Sequence, residues 1–291
     1  MNPLAFDFMQ RALVAALLVG LVAPAVGVFL VQRRLALMGD GIGHVALTGV
    51  ALGFLLGTAP VLTAVVVATI GAVVIELVRQ QGRTSGDVAL ALMFYGGIAG
   101  GVLLIGLAPG GTNANLLSYL FGSLSSVSSS DVRLIAALSA GLLLALGVFG
   151  RQLFAVCHDE EYARVAGLPV RFLNLLLAVL AALTVTVAMR VVGLLLVSAL
   201  MVVPVATAQQ LVRGFRSTVV VSLCAGVLAS VSGVLGSYYV NTAPGALIVV
   251  VALGGFALAA LLGGVLRRTR APGSTAAPGA PALLPEGTSV R

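Results

Sequence analysis

Only two histidines occur among the 291 residues, and one of them, His44, follows Asp40 by four positions in an otherwise apolar run. Residues 33–57 read RRLALMGDGIGHVALTGVALGFLLG. At that separation a carboxylate and an imidazole lie one above the other on a single helix face. Ionisable side chains at membrane depth are costly unless partnered, so they usually mark an ion or proton path. One oxygen and one nitrogen donor together suit a divalent transition metal. The spacing alone leaves two other readings open: an Asp–His hydrogen bond that holds helices together, and a proton relay in an ion-coupled secondary carrier. At ~1.5 Å per residue Asp40 stands about 9 Å and His44 about 15 Å beyond Arg34, near the middle of a ~30 Å hydrocarbon core. Gly39, Gly41 and Gly43 are interleaved with the pair, so a neighbouring helix or an ion can come close to this backbone. Two protein ligands make an open site, and openness suits an ion that must leave again. Met38 is a soft candidate ligand, although a methionine in a helix more often serves packing.

The elements that must position these residues are membrane helices. The chain is 60% hydrophobic and 9% charged, with a mean hydropathy of +1.16. A soluble domain carries roughly 25% charged residues. The expected fold class is an all-α integral membrane protein, a polytopic bundle, because the alternating pattern of an outer-membrane barrel is absent. All sixteen basic residues are arginine, and they fall mostly in the short loops between apolar runs. The net charge of +7 therefore orients helices and meets anionic lipid, and no basic soluble face exists to bind nucleic acid. Cys157 and Cys224 are too few and too isolated for a disulfide framework or a cysteine metal site. With no lysine there is no GxxxxGK[ST] phosphate loop, so the chain is not an ATPase; with no HExxH it is not a zinc hydrolase, and no cofactor of its own is expected.

Nine apolar runs read as helices: 8–31, 36–57, 61–78, 88–107, 132–150, 172–188, 194–211, 218–240 and 246–266. The count falls to eight if the two short runs meeting near Val192 and Gly193 do not both cross. The first run is expected to be a retained helix, not a signal peptide. A polar stretch, residues 109–130, reads as a short interfacial or re-entrant helix. With an outside N-terminus, twelve arginines fall on one side, the cytoplasmic one, against Arg11, Arg133 and Arg190. Residues 1–268 then form a membrane domain. Residues 269–291, rich in Pro, Ala and Gly, form a cytoplasmic tail that cannot build a core. Glu76, three residues before Arg79, is expected to form an ion pair on one helix face, and Pro204 to kink the seventh run at its missing donor. The longest inner loop, residues 151–171, opens acidic at Asp159, Glu160 and Glu161 and closes on Gly167 and Pro169. Those are start and stop signals for a two-turn helix over 159–166 lying along the inner face.

Five stretches in series resemble the permease subunits of zinc and manganese ABC transporters, the ABC-3 or ZnuB-like family: RRLALMGDGIGHVAL, YLFGSLSSVSSSD, DEEYARVAGLPV, VAMRVVGLLLVSALMVVPVATA and GSYYVNTAPGALIV. The resemblance covers residues 33 to about 250. It implies a type II importer permease fold and a dimer with a second copy or close paralogue. A cytoplasmic ATP-binding subunit and an extracytoplasmic metal-binding protein would complete the assembly in the cell (inner) membrane. On that reading Asp40 and His44 match the family's intramembrane metal site. Asp159, Glu160, Glu161, Ala163, Ala166 and Gly167 belong to the coupling helix that docks on the ATPase. The cargo would be zinc or manganese, with iron also within reach of such ligands.

Overall fold

The computed structural model describes residues 6–82, 86–107, 119–123, 127–194 and 196–269. Ten helices are bounded within the described residues, in order: α1 Asp7–Gln32, α2 Met38–Leu55, α3 Pro60–Gln80, α4 Gly86–Leu107, α5 Ser129–His158, α6 Glu160–Val165, α7 Val170–Ala188, α8 Val197–Leu211, α9 Phe215–Val240 and α10 Pro244–Thr269. There is no strand among the described residues. Eight of the helices are long and apolar enough to cross a membrane; α8, with 15 residues, is a shorter apolar helix, and α6 has only six. Most of the polar stretch 109–130, the residues after 269 and Arg83 lie outside the described residues.

Burial orders the bundle. In α1, 72% of the spanning window is buried, against 17% in α5, so α1 is the central post and α5 stands at the periphery. α1 packs against α5, α7, α8 and α9. α2 is enclosed by α3, α4, α7 and α8. It has the lowest hydropathy of the eight spans, 1.3, and 61% of it is buried, so the least lipid-compatible helix is kept off the lipid. That placement is what a helix carrying Asp40 and His44 requires.

Two expectations are corrected. The fifth run does not stop at Arg151 but continues to His158, giving a helix of 30 residues. Arginine is a good helix former, and nothing before Asp159 breaks the pattern. The inner loop shrinks accordingly to the α6 region. The helix of the seventh run, α8, begins at Val197, not at 194, because Gly193 takes φ +89 and the chain turns from Met189 to Leu194. α8 then runs through Pro204 as one assigned helix.

That turn is built into the protein core. Met189, Val191, Val192 and Leu194 are buried, and Leu194 N donates to Tyr119 O at 2.9 Å. Non-helical backbone at membrane depth is tolerated where protein encloses it. A Cβ on Gly193 would fall 2.3 Å from Leu120 O, so glycine is required by space as well as by φ. The start of α5 is fixed by a capping box in which Asp131 N donates to Ser128 Oγ and Ser128 N donates to Asp131 Oδ2. Asp131 also lies 3.4 Å from Arg190, whose guanidinium sits 4.8 Å above the Tyr119 ring.

At the opposite end Arg79, Arg164 and Arg171 line one cavity with Glu160. Glu76 there is 2% exposed; Arg79 donates to both its oxygens at 2.8 Å, and Gln80 donates to Oε1 at 3.0 Å. The expected ion pair is present, and it leaves the carboxylate fully occupied. The arginines so gathered are ones the loop pattern assigns to a single side.

Candidate functional site

Asp40 is the third residue of α2, and one turn later His44 faces the same way. Both side chains are half-buried. The Asp–His bond that would have made the pair purely structural is not what holds Asp40. Its Oδ1 accepts instead from Ser198 Oγ at 2.6 Å. Ser198 is the second residue of α8, so the N-terminal end of that short helix faces the carboxylate. Ser198 is not legible as a site residue in the sequence, where it is a lone hydroxyl just after a glycine-broken apolar run with nothing to say what it faces.

His44 has a buried Nδ1 with no hydrogen-bond partner. The ring is held edge-to-face by Phe94 of α4, with centroids 4.4 Å apart and planes at 76°. A buried, unpaired ring nitrogen is costly unless something occupies it. The α2 glycines let three neighbours approach. A Cβ on Gly43 would lie 3.1 Å from the Leu194 carbonyl oxygen, which places that oxygen of the broken segment against the turn bearing His44. Cβ atoms on Gly41 and Gly39 would each lie 3.4 Å from a thioether sulfur, of Met93 and of Met201 respectively. Both methionines are buried. Met38 is 3% exposed and belongs to the hydrophobic core cluster, which is its packing role.

Chemically, the α2 face offers one carboxylate and one imidazole. Around it stand a hydroxyl, a main-chain carbonyl and two thioethers. Among the described residues no group of three or more His, Cys, Asp and Glu side chains could hold a metal. Two such ligands are fewer than the four of a closed structural zinc site.

The acidic segment after α5 folds as expected and is capped at both ends. Asp159 Oδ1 accepts from Tyr162 N at 2.9 Å. Gly167 takes φ +80, Gly167 N bonds Arg164 O, and Leu168 N bonds Ala163 O, the paired bonds of a glycine-terminated helix. Ala163 is fully buried and pins α6 to the bundle. Glu161, Ala166 and Gly167 are exposed, as are two residues that the sequence reading left out, Tyr162 at 69% and Val165 at 88%. His158, beside the N-cap, stacks on Phe154 with centroids 5.8 Å apart, and that contact accounts for it.

Comparison with known proteins places this architecture. Residues 5–263 match the family described as the ABC 3 transport family. The manganese transport system membrane protein MntC of Halalkalibacterium halodurans is 34% identical over 256 residues, covering 88% of this chain and 87% of that protein. The chelated iron transport system membrane protein YfeD of Yersinia pestis is 33% identical over 250 residues, covering 86% of this chain and 84% of its own length. Among solved structures, PsaBC from Streptococcus pneumoniae in complex with Fab superposes with a TM-score of 0.78 at 35% identity, over 87% of this chain and 91% of that one. With matches that span the bundle from α1 through most of α10, this multi-pass membrane protein belongs to the ABC 3 transport family.

Proposed function

We propose that the chain is the membrane permease subunit of an ATP-driven importer of divalent transition metal ions, manganese or zinc, with iron as a further cargo. The observation that carries the reading is the α2 pair: Asp40 held by Ser198, and His44 with a buried Nδ1 that no hydrogen bond engages, stacked one turn apart inside the bundle. The names of the relatives, which transport manganese or chelated iron, support it. The chain acts as one half of a permease dimer, with the C-terminus cytoplasmic. An extracytoplasmic binding protein delivers the ion to the face of Asp131 and Arg190. Asp40 and His44 hold it briefly while the pathway switches. A cytoplasmic ATPase docks on α6, where Tyr162 and Val165 present an apolar contact rimmed by Glu161 and Arg164. Ala163 serves that contact from behind, by seating the helix. The permease domain comprises residues 1–268, and transport needs nothing from residues 269–291.

The test is ATP-dependent uptake of manganese, zinc and iron into vesicles containing this chain with its ATP-binding subunit. Uptake that persists without nucleotide and follows an imposed proton gradient would assign the pair to a secondary carrier instead.

Ser198 adds a graded prediction. Ser198→Ala removes the hydrogen bond that orients Asp40, so the manganese concentration for half-maximal uptake should rise by about ten-fold, the lower end for losing a supporting partner. Ser198→Thr keeps the hydroxyl and should restore most of the difference. Equal behaviour of Ala, Thr and the native residue would remove Ser198 from the site.

A further inference from the structure

One side chain ties the turn that launches α2 to the coupling helix. Arg33 caps α1, Arg34 reverses the chain at φ +60, and Leu35 N closes the turn on Leu30 O at 2.8 Å. α2 starts at Met38, with Asp40 two residues further on. The Arg33 side chain is only 8% exposed. Its Nη2 donates to Glu160 Oε2 of α6 at 2.7 Å, and its Nη1 donates to Asn174 Oδ1 of α7. Glu160 Oε1 in turn accepts from Arg164 at 3.2 Å. Asn174 is itself buried, at 4%.

We infer that Arg33 is the positioning residue through which a displacement of α6 reaches the metal-holding end of α2. The inference rests on the transport reading above. A guanidinium is a rigid planar fork, so two partners on different helices are held at a fixed mutual geometry. The fork is mostly withdrawn from water. A partner that moves α6 must either carry Arg33 along or leave a buried charge without its counter-ion, and the second course is strongly unfavourable. The α1–α2 turn is short and internally hydrogen-bonded, so motion of Arg33 is motion of the start of α2. Asn174 supplies the fixed point on α7 against which the fork turns. Arg164, exposed at 69%, balances Glu160 on its outer side, where the ATPase would meet it.

The experiment uses the whole assembly in vesicles, with manganese and zinc as probes, and records ions imported and ATP hydrolysed together. Arg33→Gln and Glu160→Gln should each lower the ions moved per ATP by roughly ten-fold, within the range of coupling between two sites. ATP hydrolysis by the Arg33→Gln assembly, and manganese binding to the solubilised complex in both variants, should stay near their native values, which a mere folding defect would not allow. The double variant should be no worse than either single one, because both remove the same joint. Glu160→Gln keeps size and an acceptor, so it remains informative if Arg33→Gln fails to reach the membrane. Native ion-to-ATP ratios in both variants, or losses that multiply in the double, would overturn the assignment. An unmodified assembly that moves neither ion would overturn the transport reading itself, before any variant is compared.

Discussion

Asp40→Asn is expected to abolish metal uptake while leaving the protein folded. The asparagine keeps an oxygen where Oδ1 accepts from Ser198, so the α2–α8 contact survives. What disappears is the negative charge. A divalent ion entering a poorly solvated interior loses hydration that only charge and good ligands can replace. With no third acidic or imidazole ligand among the described residues, nothing nearby compensates. The loss should exceed about 100-fold in uptake rate, beyond the 10–100-fold typical of removing a mere supporting partner. His44→Ala should act similarly, because it takes away the only nitrogen donor, although it also opens a gap beside Phe94. His44→Gln fills more of that gap and separates the two effects. Uptake of manganese, zinc and iron by cells carrying each variant, normalised to protein in the membrane, is the measurement. Native uptake of all three ions in both Asp40→Asn and His44→Gln would remove the pair from the pathway.

Much of the candidate site is legible in the sequence because its signals are local. An acid and an imidazole in an apolar run announce themselves by cost, and their common face follows from the helical period. The cap residues of α6, Asp159 and Gly167, carry their conformations in their chemistry, so its bounds were nearly right. The arginine loops separated one end of the bundle from the other for the same kind of reason. The failures are non-local. Arg151 was read as a boundary because a charge usually ends a span, yet α5 projects past it to His158, beyond the apolar stretch. Ser198 could not be assigned, since its meaning depends on α8 being folded back beside α2, 158 residues away in sequence. Arg33 carried a topological message in the sequence and a mechanical one in the fold. Only the positions of Glu160 and Asn174 reveal the second.

The pair of glycines on α4 provides a matched test of whether the site depends on how closely helices meet. A Cβ on Gly97 would fall 2.6 Å from His44 C and 2.6 Å from Val45 N, both backbone atoms that cannot swing aside. Thr48 Oγ1 donates to Gly97 O at 2.8 Å, so the same contact also carries an interhelical hydrogen bond. Gly96, its neighbour, has nothing within 4 Å of where its Cβ would be. Close approach of this kind is how helices gain dispersion contact where lipid offers no hydrophobic drive. Gly97→Ala must push α4 off α2, at about 1–3 kcal/mol for overpacking, and Phe94 moves away from the His44 ring with it. We expect a lower thermal midpoint and a fall in uptake of about ten-fold, below the roughly 100-fold that a 1 Å misplacement at a reacting centre can cost. Gly96→Ala adds the same methyl one residue earlier, improves helix propensity, and should leave both readouts close to native. Thermal unfolding in detergent and uptake in cells, run side by side on the two variants, decide the matter. Equal losses in both would trace the effect to the α4 surface instead of to the packing behind His44, and no loss in either would mean that α2 tolerates a looser seat than its ligands require.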